Sequence, residues 1–229
     1  MKLNEWFDIK HPIIMATMFL VTNTKMMISA YEAGIIGCIP ALNFRTPKLF
    51  EEGLKELQEK TKGKFGINLI VHRSNSFFPQ QLDLLEKYPP AFVITSLGSP
   101  KDVIKRLKPL NVKILCDVIN TDHARKVEKL GADALIAVNS NAGGHLGVFP
   151  AEKLIPYLKK QCSLPIISAG GVGDSYGYQK AMSLDIIGLS VGSPFIATIE
   201  SDVDHSYKQA CVDYGKNDII VTKKISLSQ

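Results

Sequence analysis

Cysteine is scarce in this chain, and no two cysteines lie close together. Cys38, Cys116, Cys162 and Cys211 are the only four among 229 residues, with no C-x-x-C pair. That spacing argues against a disulfide framework, and no metal site is assigned. Two of the thiols sit inside apolar runs, where a reduced cysteine packs as a small hydrophobe, so the cytoplasm is the expected compartment. No segment reaches 18 apolar residues without charge or turn signals, so no membrane-crossing helix is expected. The opening "MKLNEWFDIKHP" lacks the apolar core of a signal peptide. Blocks of one charge are also missing. The formal net charge of +5 comes from scattered lysines, with no basic stretch interleaved with stacking aromatics, so nucleic acid is not an expected partner. A mild preference for acidic ligands is all the charge supports. No G-x-G-x-x-G lies between a strand and a helix, so any nicotinamide would bind only transiently.

What the chain does have is a repeated alternation. With 45% hydrophobic and 21% charged residues, it is long enough to bury one substantial core, and one domain is expected. Short apolar runs alternate with amphipathic segments eight times: "PIIMA" (12–16), "IIGCIP" (35–40), "FGINLI" (65–70), "AFVITSL" (91–97), "KILCDV" (113–118), "ALIAV" (134–138), "PIISAG" (165–170) and "IIGLSVG" (186–192). Their starts are 21 to 31 residues apart, room for one strand, one helix and two short loops. The intervening segments carry helix signals. Thr46-Pro47 and Ser99-Pro100 offer an N-cap hydroxyl followed by proline, Thr121 and Asp174 read as further caps, and Gly131 reads as a C-cap. Near-continuous apolar strands between amphipathic helices imply a parallel sheet covered on its outer side, which eight units close into a (β/α)8 TIM barrel. An open doubly wound sheet is the alternative.

In a barrel the chemistry sits at the C-terminal ends of the strands. The glycines there are paired in a telling way. Ala169, Gly170 and Gly171 follow the seventh run, and Gly192 and Ser193 follow the eighth. Unobstructed backbone N–H groups at those neighbouring points would cradle a phosphate.

The ordered set "HPIIMATM", "AGIIGCI", "KFGINLIV", "VITSLGSP", "GADALIAVNSNAGGHLG", "LPIISAGGVGD" and "GLSVGSPFIATIES" resembles the motifs of the nitronate monooxygenase family, formerly 2-nitropropane dioxygenases. The FMN-type enoyl-acyl-carrier-protein reductases belong to the same superfamily. The resemblance implies an FMN-containing flavoprotein. Ala169, Gly170, Gly171, Gly192 and Ser193 would hold the FMN phosphate, and Ala16, Thr17 and Met18 would lie against the ring, with Asn68 on its edge. Gly143 and Gly144 would let the backbone pass close to the cofactor, and His145 would face the substrate side. It further implies a monooxygenase reaction in which an alkyl nitronate is oxidised with dioxygen to a carbonyl compound and nitrite. His145 would act as base or anion stabiliser, since an imidazole changes charge near neutral pH.

Among the other histidines, only His72 lies near the expected rim. Asp117 interrupts the fifth apolar run and must be hydrogen-bonded, paired or shifted in pKa; it reads either as a structural acid or as a rim residue that binds cofactor or substrate. Ser96 could contact substrate. Two departures from the family pattern stand out in the first motif, Thr17 where the family has proline and Met15 where it has glutamine. The family also runs on into a helical segment that covers the pocket. Here residues 1–199 read as the barrel, and 200–229 as one helix and a short extended tail. Formation of a homo-oligomer through an exposed apolar rim would replace the missing wall. Two further functions stay open: an enoyl-acyl-carrier-protein reductase using NAD(P)H, and a shortened FMN-binding barrel with little catalysis.

Overall fold

The structure is a computed structural model that describes residues 2–215 and 217–222. Eight parallel strands close in sequence order: β1 (Ile13–Met15), β2 (Ile36–Pro40), β3 (Gly66–Ile70), β4 (Phe92–Ser96), β5 (Lys113–Val118), β6 (Ala134–Val138), β7 (Ile166–Ala169) and β8 (Gly188–Val191). The seam is made by β1 on β8, with Ile14 opposite Ser190 and Met15 opposite Val191. The closed barrel expected from the sequence is therefore present, and the open sheet is not.

Alternation along each strand sorts the core into two layers. Outward residues such as Ile67, Val93, Ile114, Leu135 and Ile166 pack beneath the helices. Inward residues Ile14, Ile36, Cys38, Phe92, Ile94, Leu115, Ile136 and Ile167 fill the barrel. Both faces of these strands are thus apolar, which is why they read as continuous runs. Helix α1 (Leu3–Phe7) plugs the N-terminal end: Leu3 N–H donates to Ile187 O at 2.9 Å, and the Phe7 ring lies 5.1 Å from that of Phe92. With the bottom sealed, the C-terminal mouth is the end left for chemistry.

The outer helices are α2 (Thr24–Glu32), α3 (Pro47–Lys60), α4 (Phe78–Lys87), α5 (Lys101–Leu107), α6 (Thr121–Leu130), α7 (Ala151–Gln161) and α8 (Ser175–Met182), followed after the barrel by α9 (His205–Asp213). Thr46 caps α3 by accepting from Leu49 N–H, Asp174 caps α8 from Gly177 N–H, and Gly131 ends α6 at φ 95°. Two expected caps are corrected. Ser99 does not cap α5, because Pro100 takes the N-cap position with no side-chain bond. The cap of α6 is Asn120, whose side chain accepts from His123 N–H, while Thr121 is already the first helical residue. Ile219, Ile220 and Val221 are exposed and belong to no strand, and the rest of the expected tail, 223–229, lies outside the described residues. Among the described residues, no helix is long and apolar enough to cross a membrane.

Candidate active site

The loop that carries His145 is organised by the residue just after β6. Asn139 is 1% exposed. Its carbonyl accepts from Ala142 N–H at 3.2 Å and Gly147 N–H at 3.1 Å, and its side-chain Oδ1 accepts from Asn141 N–H at 2.8 Å. The chain therefore folds back on Asn139, and Gly147 lets it close, since a Cβ there would lie 2.2 Å from Val138 O. The turn between presents Gly143, Gly144 and His145 outward, all three exposed. A Cβ added at either Gly143 or Gly144 would meet nothing within 4 Å.

Asn139 also pins this loop to the next one. Its N–H donates to Ala169 O at 3.1 Å and its Nδ2 to Gly170 O at 3.0 Å. Gly170 (φ 110°) and Gly171 (φ 78°) both have left-handed backbone. A Cβ on Gly170 would stand 2.5 Å from Ala142 N and 2.6 Å from Asn139 Oδ1. Its bareness thus first serves contact between the two loops. Sequence reasoning did not single out Asn139. The available signal was an asparagine directly after a buried strand, a residue type suited to bonding its own backbone two residues on.

The predicted residues of β1 and β8 also converge. Ala16 N–H donates to Val191 O at 2.7 Å, and a Cβ on Gly192 would sit 3.5 Å from Met18 Sδ and 3.6 Å from Ala16 Cβ. Met18 is held by its N–H to Thr22 Oγ1 at 3.0 Å. The Thr17 hydroxyl is buried with no hydrogen-bond partner, the kind of orphaned group that a ligand would satisfy. Ser193 begins a single 3₁₀ turn, Ser193–Phe195, just beyond.

Asn68 belongs to the opposite arc of the mouth. It is 6% exposed, and its Nδ2 donates to Ser96 Oγ at 2.8 Å and to Ile94 O at 3.3 Å; Ser96 Oγ in turn donates to Asp117 Oδ2 at 2.6 Å. The mouth therefore has two unlike halves. A hydrogen-bonded polar arc spans β3, β4 and β5, and an arc of small residues is formed by Ala16 just after β1, Ala169 on β7 and Ser190 on β8. Exposed apolar residues stand on its loops, Phe19 and Leu20 after β1, Leu97 after β4 and Val148 after β6. His72 is exposed and its Nδ1 pairs with Ser74 Oγ at 2.9 Å within its own turn. Among the described residues, no group of three or more His, Cys, Asp or Glu could hold a metal ion.

Burial pushes the Asp117 carboxyl up to about 6, against the lowering effect of the Ser96 hydroxyl. A raised native pKa means that the folded protein binds more protons than the unfolded chain between the ordinary carboxylate value and about 6. Stability from this group is therefore lost as pH rises through that window, and the penalty is complete above it. Asp117→Asn is expected to stabilise the protein at pH 7.5 by about 1–3 kcal/mol, with the gain shrinking at pH 5. Urea unfolding at the two pH values checks this, and an equal effect at both would contradict it.

The class defined is a (β/α)8 barrel closed at its N-terminal end by α1, with glycine turns and a hydrogen-bonded polar arc at the C-terminal ends of its strands. The family model for nitronate monooxygenase matches residues 72–228. A relative from Staphylococcus aureus (strain MSSA476), named "Probable nitronate monooxygenase", is 27% identical, with 98% of this chain and 76% of the relative covered. That match runs over 270 positions, more than the chain's 229 residues, so the relative carries insertions within the matched span that this chain lacks. The solved structure of FabK from Thermotoga maritima is 31% identical with a TM-score of 0.87, covering 96% of this chain and 70% of FabK. Nitroalkane oxidase from Streptomyces ansochromogenes superposes with a TM-score of 0.82 at 23% identity, covering 91% and 72% of the two chains, and bears on the fold. The chain belongs to the nitronate monooxygenase family and is an oxidoreductase.

Proposed function

We propose that the protein is an FMN-dependent oxidoreductase that oxidises alkyl nitronates, and the nitroalkanes that give rise to them, with dioxygen. The observation that carries this is the open, exposed turn Gly143-Gly144-His145 after β6, closed on Asn139, with nothing within 4 Å of either glycine's missing Cβ. A planar cofactor needs such clearance, and an imidazole set directly behind it can reach the substrate lying on that cofactor. The buried, partnerless Thr17 hydroxyl supports the fit.

In this reading Ala169, Gly170, Gly171, Gly192 and Ser193 hold the FMN phosphate. Ala16, Thr17 and Met18 lie against the ring, Asn68 meets its edge, and Gly143 and Gly144 give it room. When bound, FMN supplies the acceptor for substrate electrons. His145 removes the proton from carbon beside the nitro group, or as imidazolium steadies the anionic nitronate. Asn139 fixes where that imidazole stands. The exposed loops leave the mouth accessible to small molecules.

The test is an absorbance scan of protein supplied with FMN, repeated anaerobically with ethyl nitronate and then in air. The expected result is a flavin spectrum that bleaches with the nitronate and returns in air with release of nitrite. Colourless protein that takes up no FMN would overturn the reading. The likeness to FabK favours a second reading, in which the same cofactor serves an enoyl-thioester reductase. Bleaching by NADPH and recovery with an enoyl thioester, without nitrite release from the nitronate, would decide for it.

A further inference from the structure

The proposed chemistry leaves Asp117 unused, although it is a carboxylate on the inward face of β5 at the C-terminal end of the barrel. It occupies the last inward position of β5 and keeps part of its surface open. Its neighbours on the flanking strands can be taken in turn. From β4, Ser96 donates to it; from β3, Asn68 donates to Ser96. From β6, the register partner is Ile136 and the inward residue beyond is Val138. On β2, the buried Cys38 thiol is held well above its usual range by burial and by the charge on Asp117. Among the described residues, the influences on the Asp117 carboxyl are burial, which raises it, and the Ser96 bond, which lowers it.

The direction of the hydrogen bonds matters. An amide NH₂ can only donate, so Ser96 accepts from Asn68 and gives its single hydroxyl hydrogen to Asp117. The chain runs one way, Asn68 to Ser96 to Asp117, and delivers one donor to Oδ2. Among the described residues, one hydrogen bond is little compensation for a carboxylate on the inward face of a barrel filled by residues such as Ile94, Leu115 and Ile136. What remains is a part-buried carboxyl with one hydroxyl donor, on the inward face of the barrel at the C-terminal end of β5.

We propose that Asp117 is the proton-balancing group of this site: electrons arriving at the mouth raise its affinity for a proton, and it takes one up from solvent. The electron affinity of the site therefore falls as pH rises through the range where Asp117 ionises. This inference rests on the reading that a flavin occupies the mouth. The electrons come from the substrate or, in the test, from dithionite, and the proton comes from water.

The experiment is a dye-equilibrated reduction of FMN-loaded protein from pH 5 to pH 8, with the midpoint potential read at each pH. Asp117→Asn keeps an oxygen for the Ser96 bond but cannot ionise. At pH 8 its potential is expected to lie above wild type by a shift equivalent to roughly a tenfold change in the relative affinity for reduced and oxidised cofactor. At pH 5 the two are expected to coincide. Ser96→Ala removes the donor that favours the charged form, so the inflection in the pH profile should move to higher pH. That shift is independent of whether Asp117→Asn folds. If FMN binds but both variants keep the wild-type profile, the inference is overturned while the cofactor reading stands. If no FMN binds, both fall.

Discussion

Replacing His145 with alanine is expected to lower turnover of a neutral nitroalkane by about 10²–10⁴-fold, the usual worth of a positioned general base, while FMN remains bound. The two effects separate because of how the loop is built. Asn139 closes the turn with its own carbonyl and side chain, bonding Ala142, Gly147, Asn141 and Gly170. The bonds that shape the turn run through the backbone and side chain of Asn139, and residue 145 is exposed. The substitution should therefore leave the Asn139 turn, and the residues proposed to hold FMN, in place. A preformed nitronate has already lost its proton, so as a substrate it should suffer much less. Steady-state oxygen consumption with the nitroalkane and with its nitronate tests this directly. Equal losses on both substrates would assign His145 to anion binding, and no loss on either would remove it from the mechanism. His72→Ala makes a useful contrast, because that ring is engaged with Ser74 inside its own exposed turn, and turnover should change little.

Much of the architecture was legible in the sequence because parallel barrel strands are covered on both faces, and burial on both faces leaves an unbroken apolar run. Phe92 shows this: it faces the barrel interior against Phe7, while its neighbour Val93 faces the helices. Helix starts were legible wherever the capping side chain itself is diagnostic, as with Thr46 and Asp174. They slipped by one residue where two adjacent residues could cap, as at Asn120 and Thr121, and failed where proline took the cap position, as at Pro100. The glycines after β7 and β8 were legible one by one, but their neighbours were not: Gly170 lies against the loop after β6, and Gly192 beside Ala16 and Met18.

The polar arc was less so. Asp117 stood out as a carboxylate in an apolar strand, but its partner Ser96 is 21 residues away, and Ser96 and Asn68 are 28 apart. Only the strand order β3-β4-β5 brings the three into line. Asn139 was missed for the same reason, since its value lies in touching the loop after β7, 31 residues further on. Local pattern reports what a segment does with its own backbone; contact between neighbouring strands has no signature within a single segment.

That contact makes Gly170→Ala the most damaging small change to the site. Two costs combine at one position. Left-handed backbone at φ 110° strains any residue with a Cβ, by an amount of order 1–3 kcal/mol. The new methyl would also press on Ala142 N at 2.5 Å and Asn139 Oδ1 at 2.6 Å, and forcing extra volume into a packed region costs about 1–3 kcal/mol more. The neighbours cannot yield cheaply, because one is backbone and the other is the pin of the His145 loop, which is 1% exposed. The expected result is a loss of about 2–6 kcal/mol in urea unfolding, together with weaker FMN binding as both loops are pushed apart. Gly143→Ala provides the counterpart. Its methyl would meet nothing of the protein within 4 Å, so unfolding should barely change, while FMN affinity falls because the methyl enters space assigned to the cofactor. Fluorescence titration of FMN beside urea unfolding separates the two variants. If Gly143→Ala bound FMN as tightly as wild type, the cofactor would not lie against that turn. If Gly170→Ala were as stable as wild type, the two loops would not be locked together as described.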